Sequence, residues 1–528
     1  MTFVSFPFII FIAAVALVYF LVPKRFQWIV LLAASYFFYF LNSEWLILLL
    51  FATTFVTFMV GRKIGAMQDA GNAAIEAAGL AGKAKKEARS KNKKKTLHVL
   101  WIGVAFDLGM LLFLKYFNFF AGNANIILKH FGWTFPKLHL LLPLGISFYT
   151  LQAMAYMIDI YRGKIRPDTN LAKFMLFMSY FPQIVQGPFA RYRHLANQLY
   201  ESHSFDYRRM AFGAQLILWG FMKKTIIADR LAVPVEYVFN HSGNYTGLIM
   251  FLAVAGYGLQ VYADFSGGME IARGVSQILG IEIELNFRQP YFSNSIEDFW
   301  RRWHITLGAW MKDYIFYPLS LSKSFAGVSR VTRKIAGNYI GKKIPAFLSM
   351  FVVYFLVGFW HGSEWKYIVY GVWNGCFIMT GILLTDVYAK MRAVTGVEGK
   401  ISWTVFQVIR TFIIRSIGLF FARAKGVHQA LSMMTAMTVK WWDLSFLTQG
   451  TLKSLGLDNA NWILVITAII ILFAVDYLHE KEVPIRETIA AQPIVFRWII
   501  YYGAIIAVLI FGIYGPSYDS AAFIYEQF

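Results

Sequence analysis

The sequence is poor in cysteine and in charge. It holds one cysteine, Cys376, in 528 residues, so no disulfide can close within the chain and no cysteine cluster can bind a metal. Only 15% of its residues are charged, against about 25% in soluble domains. It carries no phosphate-binding loop, no dinucleotide fingerprint and no serine-centred nucleophile elbow. No internal repeat is visible, and no stretch reads as a soluble domain. What fills the chain instead is apolar: 58% of residues are hydrophobic and the mean hydropathy is +0.52. These features exclude a soluble enzyme and indicate one all-α, polytopic membrane domain spanning residues 1–528.

Apolar runs recur along the whole chain. They include Phe3–Val22, Trp28–Leu41, Trp45–Val60, Leu97–Phe120, Leu171–Val185, Met210–Ile227, Leu248–Val261, Ile344–Trp360, Ile368–Leu384, Val405–Phe421 and Phe496–Ile513. A span needs about 20 such residues. Several runs are shorter, which suits re-entrant or broken helices buried in protein. The expectation is about eleven true spans. Phe3–Val22 lacks the basic leading region of a cleaved signal and reads as the first span.

The net charge of +21 sets the orientation. Ten basic residues lie between Gly61 and Thr96, most of them in the Lys83–Lys95 cluster, opposed only by Asp69, Glu76 and Glu87. Positive loops stay cytoplasmic, so 61–96 is expected inside as a solvated helical loop near anionic lipid, not as a nucleic-acid tail. Counting back places the N-terminus outside. Lys481, Arg486 and Arg497 before the last run place the 514–528 tail outside as well.

Polar groups break into this apolar pattern mainly in the second half. His361 stands in Phe359-Trp360-His361-Gly362, between two apolar runs. A histidine there is costly to desolvate and usually faces a protein-lined or watery cavity. Its titration range suits proton transfer or acyl chemistry. A structural role at a helix end fits the same tetrapeptide. Asp264 and Ser266 follow the Leu248–Val261 run. Asn286–Tyr291 is a poor span and reads as a surface loop. Phe299–His304 opens an amphipathic stretch reaching about Leu319, in which Trp300, Trp303, Leu307 and Trp310 recur at helical spacing as one aromatic face. Arg301, Arg302 and Lys312 form a basic one. His304 is either a core histidine or the acid–base partner of His361. A metal site is the weaker option, since only Glu364 accompanies His361.

With these residues the chain resembles the membrane-bound O-acyltransferase family, in its bacterial branch that O-acetylates polysaccharides, the alginate O-acetyltransferase type. The blocks that carry the resemblance run in order from about residue 140 to 375. They are Leu142–Thr150, Phe181-Pro182-Gln183 with Gly187-Pro188, Tyr262–Gly267, Asn286–Tyr291, Asp298–Leu307, and Trp360-His361-Gly362 with Trp365. The resemblance implies that His361 is the catalytic histidine and His304 the second polar position, which is histidine or asparagine across the family. It implies helices around a central catalytic cavity and acetyl-CoA arriving from the cytoplasm as donor substrate, with no resident cofactor. It also implies an SGNH-like extracytoplasmic acetyltransferase partner that completes transfer to an exported glycan, in the bacterial inner membrane.

Candidates for substrate contact are Asp264, Arg288, Trp300, Trp303, Trp360 and Trp365. A base or nucleophile is needed for the thioester, and donors such as His304, indole or backbone N–H for the oxyanion. The Lys83–Lys95 loop with Arg288, Arg301 and Arg302 would draw the phosphates of acetyl-CoA inward. The C-terminal Phe523–Phe528 segment resembles aromatic tails of this branch, so Tyr525 is a candidate acetyl carrier or, alternatively, an interfacial anchor. Two other classes fit part of the pattern: a lipid or protein acyltransferase of the same family, and a transporter or flippase, which more often shows two similar halves.

Overall fold

The computed structural model describes residues 1–444, 446 and 451–514; the Tyr525 tail lies outside them. Among the described residues the secondary structure is helical, with a single antiparallel bridge between Phe287 and Trp303. An all-helical chain is what lipid demands, because helices satisfy their backbone polar groups within each segment.

Seven helical stretches are long and apolar enough to cross a membrane, or eight if the bent pair Trp365–Leu383 and Thr385–Thr395 counts as one. One of the seven, Lys24–Ala77, contains two helices, Gln27–Ser43 and Ile47–Ala77, separated at Glu44, whose φ is +44°. The expectation of about eleven spans would require those two, and shorter helices such as Phe6–Leu21, to count separately. The Leu171–Val185 run is broken, as its length suggested: one helix ends at Ser179, Tyr180 is non-helical, and Phe181–Ile184 forms a short turn.

The chain forms two compact units, one of Met1–Ala214 with Ala272–Glu284, the other of Gln215–Ile271 with Leu285–Phe528. In the first, Ile47–Ala77 and Gly82–Leu111 make a helical hairpin against Ile146–Tyr161. Small residues set that approach. A Cβ on Gly61 would lie 2.9 Å from Ile160 and Tyr156, and one on Gly103 would lie 2.5 Å from the Met157 sulfur. The Lys83–Lys95 cluster falls within the Gly82–Leu111 helix and is largely exposed.

In the second unit, Lys323–His361 and Trp365–Leu383 pack as a hairpin. The first of these is kinked where Gly337 takes φ +81°. Gly358 and Gly371 bring the two backbones together. A Cβ on Gly371 would fall 2.2 Å from the Tyr354 carbonyl oxygen, and one on Gly358 would fall 2.4 Å from the Tyr367 carbonyl oxygen. This contact of small residues is the usual means of helix association in lipid. It fixes the end of the helix that carries His361.

Forcing a branched side chain into such a contact costs about 1–3 kcal/mol. Gly371→Val is therefore expected to lower the thermal unfolding midpoint of the solubilised protein, read by intrinsic fluorescence. Gly381→Val, at a site where a Cβ meets nothing within 4 Å, should leave it unchanged.

Candidate active site

The site begins with a break in the chain. Ser295 caps the Ile296–Arg302 helix, its hydroxyl accepting from the Asp298 N–H at 3.1 Å, which satisfies one of the open donors of the first turn. The helix stops at Trp303. His304 takes φ +49°, and a second short helix runs from Ile305 to Met311. The amphipathic stretch from Phe299 to Leu319 is therefore not one helix. Helical spacing had grouped Trp300, Trp303, Leu307 and Trp310 on one face, but the left-handed residue redirects the chain between them. A non-glycine residue in that region costs of order 1–3 kcal/mol and persists only where its surroundings hold it.

Asn286 supplies that hold. Its carbonyl oxygen accepts from the Ile305 N–H at 3.0 Å, and its side-chain Oδ1 accepts from the Thr306 N–H at 3.0 Å and the Thr306 hydroxyl at 2.9 Å. The His304 Nδ1 lies 3.1 Å from the Asn286 amide nitrogen and 3.3 Å from its Oδ1, so a neutral imidazole of either tautomer finds a partner there. The Asn286–Tyr291 segment is a loop, but not a surface one: Asn286, Phe287, Pro290 and Tyr291 are buried. Its backbone pairs with the helix break, Arg288 N–H donating to the Arg302 carbonyl at 2.9 Å. The polar sequence misled because its amides are used inside the protein.

The two histidines both meet one tryptophan. The Trp360 ring lies 5.8 Å from the His304 ring and 5.1 Å from that of His361, edge-on to both. Both histidines are buried, His304 1% exposed and His361 7%. His304 sits in the break, outside the long apolar helices. Burial, and then repulsion from His361, hold its imidazole well below its ordinary titration range, so it is uncharged at neutral pH. His361 lies on the wall of a small cavity of about 40 Å³, with Trp300, Trp303, Tyr257, Tyr370 and Arg415 among its neighbours. A space of that size holds about one water, so a substrate must widen it to enter.

The remaining sequence candidates fall in different places. Trp300 and Trp303 line the cavity, and the Trp300 indole N–H donates to the Asn374 Oδ1 at 3.2 Å. Asp264 is not on that wall. It is buried in an ion pair with Lys224 at 2.6 Å, and Lys224 also meets Asp229 at 3.0 Å. Trp365 is 56% exposed. The Arg288 and Arg301 side chains are exposed, and Arg302 is engaged by Glu480 at 2.7 Å and Asp298 at 3.1 Å.

Arg415 was missed. It is 1% exposed, in the middle of the Ile401–Arg423 helix. Its Nη1 donates to the Tyr291 hydroxyl at 3.2 Å, which in turn donates to the Gly258 carbonyl at 2.6 Å. Its guanidinium lies 4.9 Å from the ring centres of both Phe299 and Trp303. A Cβ on Gly258 would fall 2.7 Å from Nη1. No carboxylate of the described residues pairs with it. The sequence did carry a signal, an arginine inside the apolar run Val405–Phe421, and an ionisable residue in such a run is a functional candidate by default.

The neutral state of His304 predicts a pH dependence. An imidazole in an unfolded chain titrates near about 6.5. Because the folded value is lower, the unfolded chain takes the proton first as pH falls. Stability is then complete above about 6.5 and declines below it, by at most about 1.4 kcal/mol per pH unit. Denaturant unfolding of the purified protein across that range should show this acid limb in the wild type and lose it in His304→Asn. An acid limb that survives the substitution would have another source.

The sequence is similar to known proteins over most of its length. Residues 164–332 match the model of the membrane-bound O-acyltransferase family, a range that holds His304 and ends before His361 and Arg415. Over 468 residues the chain is 31% identical to the probable alginate O-acetylase AlgI of Pseudomonas syringae pv. tomato, covering 88% of this chain and 80% of that protein. Identity to the probable alginate O-acetylase AlgI of Pseudomonas aeruginosa is 33% over 443 residues, or 83% and 75% of the two chains. The peptidoglycan O-acetyltransferase of Helicobacter pylori is 30% identical over 369 residues, 64% of each chain. The chain belongs to the membrane-bound O-acyltransferase family and is an O-acyltransferase.

Proposed function

We propose that the protein transfers acetyl groups from cytoplasmic acetyl-CoA across the bacterial inner membrane for O-acetylation of an exported cell-surface polysaccharide, through His361. The observation that carries this reading is the cavity that joins a buried histidine to a buried arginine inside an apolar helix assembly. The names of the relatives support the class of acceptor, since alginate and peptidoglycan are both polysaccharides. Both termini are outside in this reading, and an SGNH-like extracytoplasmic partner completes transfer to the glycan.

The chemistry follows from the residues. An acceptor hydroxyl gives its proton to the His361 imidazole as its oxygen bonds to the thioester carbonyl carbon. Negative charge builds on the carbonyl oxygen, and Arg415 supplies fixed positive charge in the same cavity. Such preorganised charge acts most strongly where water is excluded. The carbon–sulfur bond then breaks, and the proton passes from the imidazolium to the departing CoA thiolate. His304 stays uncharged beside His361, so it does not oppose the positive charge formed there. Trp300 and Trp303 form apolar walls that keep bulk water from the thioester. The Tyr525 hydroxyl is the candidate first acceptor, carrying the acetyl group to the partner.

Base-labile acetate on cell-surface glycans tests the reading at equal membrane abundance of each variant. His361→Ala is expected to abolish it, and Tyr525→Phe likewise. Acetate that persists in His361→Ala would remove His361 from the transfer step. A long-chain acyl-CoA that outcompetes acetyl-CoA in a donor assay would instead make the protein a lipid or protein acyltransferase.

Removing one such electrostatic donor typically costs about 100-fold to 1,000-fold in rate. Arg415→Gln is therefore expected to lower acetate to near the background of His361→Ala, with Arg415→Lys in between. Acetate at the wild-type level in Arg415→Gln would remove the arginine from the transfer step.

A further inference from the structure

The first unit contains a second cavity, far larger than the one at His361 and lined by different chemistry. It is a cleft of about 630 Å³ bounded by the Ile47–Ala77 and Gly82–Leu111 helices and by residues 161–169. Sites for small ligands commonly enclose about 300–1,000 Å³. Arg62, Arg89, Lys93, Arg162 and Arg166 line it from all three segments. Of these, Arg62, Arg89, Lys93 and Arg166 are not joined to a carboxylate among the described residues. Asp69 is the one acidic residue on the wall.

The walls are held in place from behind. Gln68 donates to the Ile160 and Tyr161 carbonyls at 3.2 and 3.1 Å, and Asn92 donates to the Met67 carbonyl at 3.1 Å. The Pro167 ring packs on Gly65, where a Cβ would lie 2.6 Å from it. Asp168 anchors the segment that bears Arg166: its N–H donates to the Tyr156 hydroxyl at 2.8 Å, and its carboxylate accepts from Tyr192 and Tyr200 at 2.7 and 2.9 Å. Five cations thus stand around a fixed concave volume. Membrane orientation needs basic residues near the ends of spans, but it does not need them to converge from three segments. Lys94 and Lys95 belong to the same run and lie outside the cleft.

We propose that this cleft binds a phosphorylated ligand, with Arg62, Arg89, Lys93 and Arg166 neutralising its phosphate oxygens. Arginine presents a planar fork that pairs with two phosphate oxygens at once, and lysine adds a point charge. Several cations on one volume suit a group with more than one negative charge. Two sources supply that chemistry on the cytoplasmic side: the phosphates of a nucleotide-bearing acyl donor and the headgroup of an anionic phospholipid. The first source rests on the acetyl-CoA reading above, and the second does not.

The test uses the full chain in phosphatidylcholine nanodiscs. Adenosine 3′,5′-bisphosphate is titrated by thermophoresis. In parallel, retained phosphatidylglycerol is counted by native mass spectrometry after mixed-lipid reconstitution. Arg62→Gln/Arg166→Gln is expected to weaken one of the two probes at least tenfold, and Lys94→Gln/Lys95→Gln less than twofold. Loss of the nucleotide identifies the soluble donor, and loss of the lipid identifies the headgroup. Equal losses in both variants, or no binding of either probe that depends on the cleft, would overturn the proposal. Arg89→Gln/Lys93→Gln alters the other wall and must give the same result, which keeps the test open if the first variant misfolds. His361→Ala should bind both probes as the wild type does. A cleft that binds phosphate in a protein whose His361→Ala variant still acetylates the surface would remove His361 from the transfer and leave this proposal standing.

Discussion

Asn286 does what water would do if water could reach the break at His304. A chain that stops one helix and starts another inside protein leaves N–H groups without partners, and each buried orphan costs about 1–3 kcal/mol. One side-chain oxygen takes both donors of Thr306, the backbone carbonyl takes the Ile305 N–H, and the amide group as a whole faces the His304 Nδ1. The same residue therefore stabilises an uncommon backbone conformation and orients an imidazole. The positions of Trp300 and Trp303 on one side, and of His304 against Trp360 on the other, follow from where that break occurs.

Arg415 presents the opposite case, a buried charge only partly compensated. Removing an ion from water costs several kcal/mol even after relaxation. A hydrogen bond to Tyr291 and the faces of Phe299 and Trp303 return part of that, at about 0.5–2 kcal/mol for each cation–π contact. The balance favours an anion in the adjoining space. Elsewhere in this unit charge is matched closely, with Lys223 on Glu270 at 2.9 Å and Lys224 between Asp264 and Asp229. The contrast separates a cation that serves the cavity from lysines that tie helices together.

The hairpin of Lys323–His361 and Trp365–Leu383 supplies the rigid side of the site. Its backbones touch at Gly358 and Gly371, and His361 is the last residue of the first helix. Its ring meets Tyr370 edge-on at 6.3 Å. In lipid, where burying apolar surface against apolar tails gains little, such close backbone contact is the main source of precision.

Much was legible from the sequence because its physical causes are local. Composition and the length of the apolar runs determine a helical membrane protein. The ordered blocks around His304 and His361 determine the family. Other features had no local cause. Helical periodicity cannot show that the chain turns at His304, because the turn is held by Asn286, 18 residues away. The Asn286–Tyr291 loop looks polar enough for the surface until its partners are known. Asp264 reads as a cavity residue until Lys224, 40 residues earlier, is seen to claim it. Arg415 with its cavity partners, and separately the five cations of the cleft, are grouped only when distant segments place each set around its own volume. The sequence fixes which groups must avoid lipid; tertiary contacts alone decide which of them are paired with one another and which are left facing open space.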